Sequence, residues 1–504
     1  MRVRTGAGIA VLATAVALVA GCAAPAPMIQ PGGVSLDGSV PPELEEFYAQ
    51  DVAWEGCGSG FDCASVEVPM NYADPTGETI EIALKRFNHT GDGPALGTLF
   101  INPGGPGGSG VELVEGASGI FSRPVREGYD IVGFDPRGVG DSHGVRCYTT
   151  EQLNEWYEKL YDLETDAGWD DYVADATAYG EACLENTGPL MEFLDTVSAA
   201  KDLDILRGTV GEETLTYFGF SYGTFLGATY AELFPARVGR LVLDGAVDPS
   251  LSYAELTAGQ NVGFERAYRS YLEDCLAGAD CPFSGTVDQA WDRSVELLAD
   301  LAANSIDSGD PDRPVNDSEV ISAIIMSMYN PGWWPTLSEA LGLVMEGDGS
   351  QALLMSDISS DLDDNGNYPE DQGAFRLIDC LDYPVTTDRA EITANADALI
   401  EANDLFGQYF GYGEVGCFTL PFTSGAVRDE ITAPGTPPIL VIGTTRDPAT
   451  PYEWAESLAD QLEQGIFLGY DGDGHTAYGA GSCIDTAVDE FLLDGTVPQD
   501  GLTC

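Results

Sequence analysis

The stretch Leu215–Phe234, LTYFGFSYGTFLGATYAELF, constrains the fold more than any other in the 504-residue chain. Leu215-Thr216-Tyr217-Phe218 is an apolar, β-branched and aromatic run, which reads as a short buried strand. Gly219-Phe220-Ser221-Tyr222-Gly223 follows without a break. Leu226, Tyr230, Leu233 and Phe234 then recur at helical spacing until Pro235 stops the helix. Strand, G-x-S-x-G and helix in succession are the context of a nucleophile elbow, in which two glycines permit a sharp turn and the serine is pushed out over the sheet. A structural serine in a tight strand-to-helix turn is the competing reading. The chain contains 61 glycines, so the bare pattern can arise by chance and its surroundings must carry the argument.

Those surroundings contain further strand ends with chemistry on them. Gly97-Thr98-Leu99-Phe100-Ile101 reads as a buried strand and runs into Asn102-Pro103-Gly104-Gly105-Pro106-Gly107-Gly108-Ser109-Gly110. A glycine-rich loop lets backbone N–H groups approach a ligand closely. Its place, one strand–loop early in the sheet, is where an oxyanion site draws its second donor. Gly104 or Gly105 can donate there; Pro106 has no N–H. Asp130–Phe134 reads as the next strand and ends in Asp135-Pro136-Arg137-Gly138-Val139-Gly140. That charged turn is expected to be structural, with Asp135 and Arg137 as a paired hinge. Val238–Leu243, ending in Asp244, and Pro438–Gly443, leading to Asp447, read as two more strands, and Gly465–Leu468 leads through a turn to His475.

Ser221, Asp447 and His475 therefore follow one another in the order Ser…Asp…His, each just past a predicted strand end, as in an α/β-hydrolase. A serine hydroxyl needs a base, and His475 is the only histidine near a strand end after the elbow. Asp447 would hold its tautomer, with Asp244 as the alternative acid. The backbone N–H of Tyr222 and one from Gly104–Gly105 would bind the oxyanion. The fold expected is α/β: a mostly parallel central sheet flanked by helices. A helical cap is expected between Asp244 and the strand before Asp447, because capping-box spacing at Thr286–Gln289 opens the one-sided run Val287, Ala290, Trp291, Val295, Leu298 and Leu301.

Composition bounds the rest. A net charge of −62 leaves no basic face for nucleic acid. With three histidines and no C-x-x-C, neither a metal nor a cofactor is expected. Residues 1–21 read as a signal peptide with a basic start and an apolar run, and Val19-Ala20-Gly21-Cys22 looks like a lipobox, so Cys22 is the expected lipidation site and membrane tether. Residues 22–44 read as a flexible tether. The other ten of eleven cysteines favour disulfides, most simply paired in chain order: 57/63, 147/183, 275/281, 380/417 and 483/504.

The Asn102–Gly110 and Asp135–Gly140 blocks, Gly219-Phe220-Ser221-Tyr222-Gly223-Thr224 and Asp447-Pro448-Ala449-Thr450-Pro451 resemble the signatures of the secreted tripeptidyl aminopeptidases, α/β-hydrolases related to prolyl aminopeptidases. The likeness runs from about Trp54 to Cys504 and includes the family's C-terminal segment. The change of pattern between about Ser252 and Arg428 divides the expected chain into a core over 45–251, a cap over 252–428 and a closing core segment over 429–504. One departure is Asp141-Ser142-His143, where the family often has a basic residue before Ser142. The resemblance implies a lipid-anchored exopeptidase, at the cell membrane or released to the medium, that removes short peptides from substrates with free N-termini. A monomer is expected. Lipoprotein members of the family resemble envelope serine proteases, and some are described as carboxylesterases, which leaves a carboxylesterase or an envelope serine protease with the same triad as the alternative. The family also implies an acidic anchor for the substrate amine; Asp382, in Ile378-Asp379-Cys380-Leu381-Asp382, matches that block, and otherwise reads as a solvated acid at a helix end.

Overall fold

The computed structural model describes residues 40–504 apart from 59, 158, 160, 164, 364, 371 and 372. The expected signal peptide, Cys22 and nearly all of the tether lie outside the described residues.

Alternation of apolar side chains sets the sheet. In Gly97–Asn102 (β4), Leu99 and Ile101 pack on one face and Phe100 on the other. The same two-fold alternation places Val242 of Val238–Asp244 (β7) opposite Leu241 and Leu243, and Leu440 and Ile442 of Ile439–Arg446 (β8) opposite Ile439 and Val441. Strands apolar on both faces need cover on both, and helices supply it. The helices Thr196–Thr209, Tyr222–Leu233 and Tyr452–Gln461 pack on one side, and Gly110–Glu115 and Ser482–Asp494 on the other.

The remaining strands are Glu55–Gly58 (β1), Phe61–Pro69 (β2), Thr79–Phe87 (β3), Tyr129–Phe134 (β5), Leu215–Phe220 (β6), Gly465–Asp473 (β9) and Leu502–Thr503 (β10). Among the described residues these ten form one sheet in the order β1-β2-β3-β5-β4-β6-β7-β8-β9-β10. The β1–β2–β3–β5 pairings are antiparallel, and every pairing from β5 onward is parallel. This is the α/β-hydrolase fold. Adjacent parallel strands bring their C-terminal ends to one edge of the sheet, and the chain positions that carry Asn102, Ser221, Asp244, Asp447 and His475 all lie there.

Between β7 and β8 the chain is helical. The helices Tyr253–Ala277, Val287–Ala303 and Asp317–Met328 each open with a complete capping box, from Ser252/Glu255, Thr286/Gln289 and Asn316/Glu319. Phe264, Tyr268, Trp291, Leu298, Leu337 and Phe406 give this segment a hydrophobic core of its own. The later helix Gly373–Asp382 instead buries Leu377, Ile378 and Leu381 in the core beneath the sheet. The five disulfides join Cys57–Cys63, Cys147–Cys183, Cys275–Cys281, Cys380–Cys417 and Cys483–Cys504, the chain-order pairing.

The charged turn after β5 differs from the expected Asp135–Arg137 pair. Asp135 accepts from Ser109 Oγ at 2.5 Å, Val111 N at 3.1 Å and Asp141 N at 2.9 Å, and so fixes the far end of the glycine-rich loop. Arg137 is buried in a bidentate pair with Asp202, both contacts at 2.7 Å, and donates to the carbonyls of Pro69, Met70 and Phe193. An uncompensated guanidinium cannot be buried, so full satisfaction of its donors takes precedence over the nearer carboxylate.

Candidate active site

Ser221 closes β6 with φ 56° and ψ −126°, outside the regions that non-glycine residues ordinarily occupy. Two backbone hydrogen bonds hold it there, its N–H donating to Asp244 O at 2.9 Å and its carbonyl accepting from Thr224 N at 2.8 Å, and the helix Tyr222–Leu233 starts at once. Both flanking glycines are required by close approach. A Cβ on Gly219 would lie 2.3 Å from Gly223 O, and one on Gly223 would lie 2.8 Å from Asn102 Oδ1. Backbone strain of this kind persists only where its surroundings over-determine it.

Asp447 is fully buried and is held by Ala449 N at 3.0 Å, Thr450 N at 2.9 Å and Thr476 N at 3.1 Å. Its two oxygens each lie 2.9 Å from His475 Nδ1. Thr450 Oγ1 is 3.3 Å from the same nitrogen. The other ring nitrogen, Nε2, is buried and has no hydrogen-bond partner among the described residues. His475 and Ser221 line a common cavity of about 500 Å³. Burial opposes charge on the imidazole, but the charge and hydrogen bond of Asp447, with Asp244 behind it, hold its pKa above the ordinary histidine value.

Asp244, the alternative acid, does not meet the imidazole. Its carboxylate accepts from Ala477 N at 2.9 Å and Tyr478 N at 2.8 Å, and so pins the loop that carries His475. Burial pushes its pKa up to about 6, against those backbone donors.

The glycine-rich loop lies directly against the elbow. A Cβ on Gly104, at φ +93°, would meet Phe220 O at 2.5 Å and Tyr222 N at 3.0 Å. Gly104 N–H is already taken by Asn102 Oδ1 at 2.9 Å. Gly105 N–H has no acceptor among the described residues, and Tyr222 N–H, the first of its helix, has no intrahelical one.

Asp382 is buried, not a solvated helix end. It accepts from Thr196 N at 2.9 Å and Thr196 Oγ1 at 2.6 Å, and Thr196 Oγ1 in turn meets the hydroxyl of Tyr222. One turn earlier, the Asp379 carboxylate is half-buried with no hydrogen-bond partner among the described residues. Burial pushes both carboxyls up, Asp379 to about 8 with a further push from Asp382, and Asp382 to about 7 against the Thr196 bonds. Their helix, Gly373–Asp382, starts beside the glycine-rich loop, where a Cβ on Gly107 would lie 3.0 Å from Phe375 N.

Sequence reasoning missed four residues here: Asn102, Thr450, Asp379 and Tyr329. The first three lie inside or beside motifs already singled out, so their neighbours were the available signal. Tyr329, at the end of the helix Asp317–Met328, lines the cavity and accepts His475 N–H at 2.9 Å on its carbonyl, yet carries no local signal at all.

The C-terminal residues 403–504 match a family model described as TAP-like protein. Over 492 residues the chain is 34% identical to serine protease Hip1 of Mycobacterium tuberculosis, with 91% of this chain and 92% of that protein covered. The chain belongs to the tripeptidyl aminopeptidase family of α/β-hydrolases. Within that family it is also 30% identical to the tripeptidyl aminopeptidase of Streptomyces lividans (90% of this chain, 86% of that one) and 33% identical to carboxylesterase B of M. tuberculosis (88% and 86%). The relatives make the chain a serine hydrolase, and Ser221 and His475, the latter paired with Asp447, line one cavity in it.

Proposed function

We propose that this chain is an exported, lipid-anchored serine exopeptidase that releases short peptides, tripeptides foremost, from free N-termini. The observation that carries the reading is the pairing at His475: Nδ1 is held by Asp447 while Nε2 is left without a partner in the cavity that Ser221 also lines. Nε2 takes the Ser221 proton as Oγ attacks the scissile carbonyl, and Asp447 stabilises the imidazolium. The Nε2···Oγ hydrogen bond of such sites often tightens only when substrate is present. The oxyanion is received by Tyr222 N–H and Gly105 N–H, with Gly104 supplying the close approach. The tetrahedral intermediate collapses as Nε2 returns its proton to the leaving amine. Water, deprotonated by the same nitrogen, then releases the acyl peptide.

The substrate's ammonium is assigned to the Asp379–Asp382 pair. Asp382 is partly engaged by Thr196, whereas Asp379 has its full accepting capacity available, so Asp379 is the primary anchor and Asp382 a support beneath Tyr222. A tripeptide spans roughly 10 Å when extended. An amine anchored at that distance from Ser221 would measure the cleavage point from the N-terminus. The helical segment 252–428 acts in this reading as the cap over a core formed by 45–251 and 429–504. Five disulfides fit an oxidising compartment, and lipidation of Cys22 completes the localisation.

Matched assays test the reading. Wild type is expected to cleave a tripeptide anilide, to lose about ten-fold or more in kcat/KM when that substrate is N-acetylated, and to be labelled by a fluorophosphonate in a manner abolished by Ser221→Ala. Equal rates on blocked and free peptides would replace the exopeptidase by a serine protease that needs no free N-terminus, and turnover of short acyl esters alone would replace it by a carboxylesterase. Cys22→Ser is expected to move the protein from the membrane to the medium.

A further inference from the structure

We propose that the cavity on the His475 side of Ser221 is the leaving-group pocket, and that it selects a bulky apolar group immediately after the bond being cleaved. The inference rests on the acyl-enzyme reading above and adds the chemical class of the departing half. Nε2 must hand its proton to the departing nitrogen or oxygen, so the leaving group lies beside the loop that carries His475. The cavity of about 500 Å³ is bounded on that side by residues 473–476 and 478–480, and no residue of the helix Gly373–Asp382 lines it. The carboxylates assigned to the amine therefore stand apart from it, next to the glycine-rich loop and Tyr222.

Leu113, Ile120, Phe220, Tyr329 and Tyr478 supply its apolar lining, beside the polar side chains of Asn330 and Thr476. Its walls are pre-formed. Phe220 packs on Phe218 with ring centroids 4.5 Å apart, and Tyr478 packs on Phe218 at 5.2 Å. The Tyr478 hydroxyl is already satisfied, donating to Asp489 at 2.8 Å and accepting from Ser122 N at 3.2 Å. Among the described residues no lysine or arginine lines the cavity, and its one carboxylate, Asp473, is neutralised by Arg446 at 2.7 Å and accepts from Ser270 Oγ at 2.6 Å. Such a pocket gains from burying apolar surface and has nothing to offer an acidic side chain or a terminal carboxylate.

Gly119 makes the proposal testable. It lines the cavity, its backbone is not in the left-handed region, and an added Cβ would meet nothing within 4 Å. The protein is offered Ala-Ala-Ala-X-amide peptides with X as Phe, Leu, Ala or Asp, and in parallel butyrate esters of ethanol, butanol and 2-phenylethanol. Wild type is expected to favour Phe and Leu over Asp by at least about ten-fold in kcat/KM, the scale on which apolar pockets discriminate. The ester series is expected to rise with the size of the alcohol. Gly119→Leu is expected to shrink the Phe-over-Ala ratio five-fold or more, and Ile120→Ala, which widens the slot, to raise it. A flat or acid-preferring series in wild type overturns the proposal, as does a ratio that neither variant moves. Turnover of esters but not peptides would refute the exopeptidase reading while the alcohol series still reports on the pocket.

Discussion

The carbonyl of Tyr329 accepts the backbone N–H of His475 at 2.9 Å, and the Tyr329 ring stands edge-on to the imidazole with centroids 5.2 Å apart. Tyr329 belongs to the helical segment between β7 and β8, so that segment directly holds the histidine loop. The approach is tight: a Cβ on Gly474, at φ +104°, would lie 3.0 Å from both Tyr329 O and Pro331 Cδ.

Tyr329→Ala is therefore expected to lower kcat by about 10- to 100-fold with a smaller change in KM, since small displacements of a catalytic base cost rates of that order. Tyr329→Phe retains the ring and the carbonyl and is expected to stay within about three-fold of wild type. Steady-state kinetics on a tripeptide anilide, with the acidic limb of the pH profile as a second readout, check both. A Tyr329→Ala loss confined to KM would make the contact a substrate wall only.

The pH profile follows from the directions of the shifts. His475 acts as a base only when neutral, and its pKa is raised, so kcat/KM is expected to climb with pH through a limb above the ordinary histidine value of about 6.5. Free-amine peptides need an ionised anchor as well. Asp379 gains its charge near pH 8, where the substrate's own ammonium, with an ordinary pKa near 8, is being lost. A narrow optimum is expected for free-amine peptides and a broad plateau for short esters. Identical profiles for the two substrates would remove Asp379 from amine binding.

Stability should carry the opposite sign. A carboxyl whose pKa is raised on folding binds its proton more tightly in the native state, so its contribution is present at low pH and is lost as pH rises from about 4, the unfolded value, to about 8. Asp379→Asn removes that loss. Its melting temperature is expected to match wild type near pH 4.5 and to exceed it increasingly toward pH 8, as read by scanning calorimetry.

Asp202→Ala leaves the Arg137 guanidinium buried without its partner. A loss of about 3–5 kcal/mol is expected, the range for breaking a buried pair on one side. Urea denaturation measures it, and a loss below about 1 kcal/mol would mean that the three carbonyls around Arg137 suffice.

Asn102→Ala frees Gly104 N–H and removes the side chain wedged against Gly223. A fall in kcat of about 10- to 100-fold is expected if Asn102 sets the loop that presents Gly105 N–H, and Asn102→Asp, which keeps the acceptor, is expected to recover part of it. Single-turnover acylation by an activated ester isolates this step.

Much of the site was legible because its parts are local patterns. Alternating apolar residues mark each strand, and glycine or a polar residue just past the last apolar position marks its end, so Ser221, Asp447 and His475 were found in chain order. The same logic located the capping box at Thr286–Gln289. Other choices were invisible locally. Asp447 and Asp244 both follow parallel strands, yet only Asp447 reaches the imidazole. Asp379 and Asp382 share one helix, yet Asp382 is tied to Thr196, 186 residues away, and Asp379 is not. Gly104 and Gly105 are neighbours, yet the Asn102 side chain occupies the N–H of one.

The sequence by itself determined the layered α/β architecture, the strand–turn–helix at Ser221 and the strand ends that carry the candidate nucleophile, acid and base, because burial periodicity and turn chemistry are written over a few consecutive residues. Tertiary structure alone decided which of Asp379 and Asp382 is left without a hydrogen-bond partner, which of the Gly104 and Gly105 N–H groups is taken, and that Tyr329 holds His475. Each of these depends on which hydrogen-bonding capacity is already used by a partner distant in the chain. No local pattern records that allocation, because it is fixed only when the buried polar groups compete for partners in the folded core.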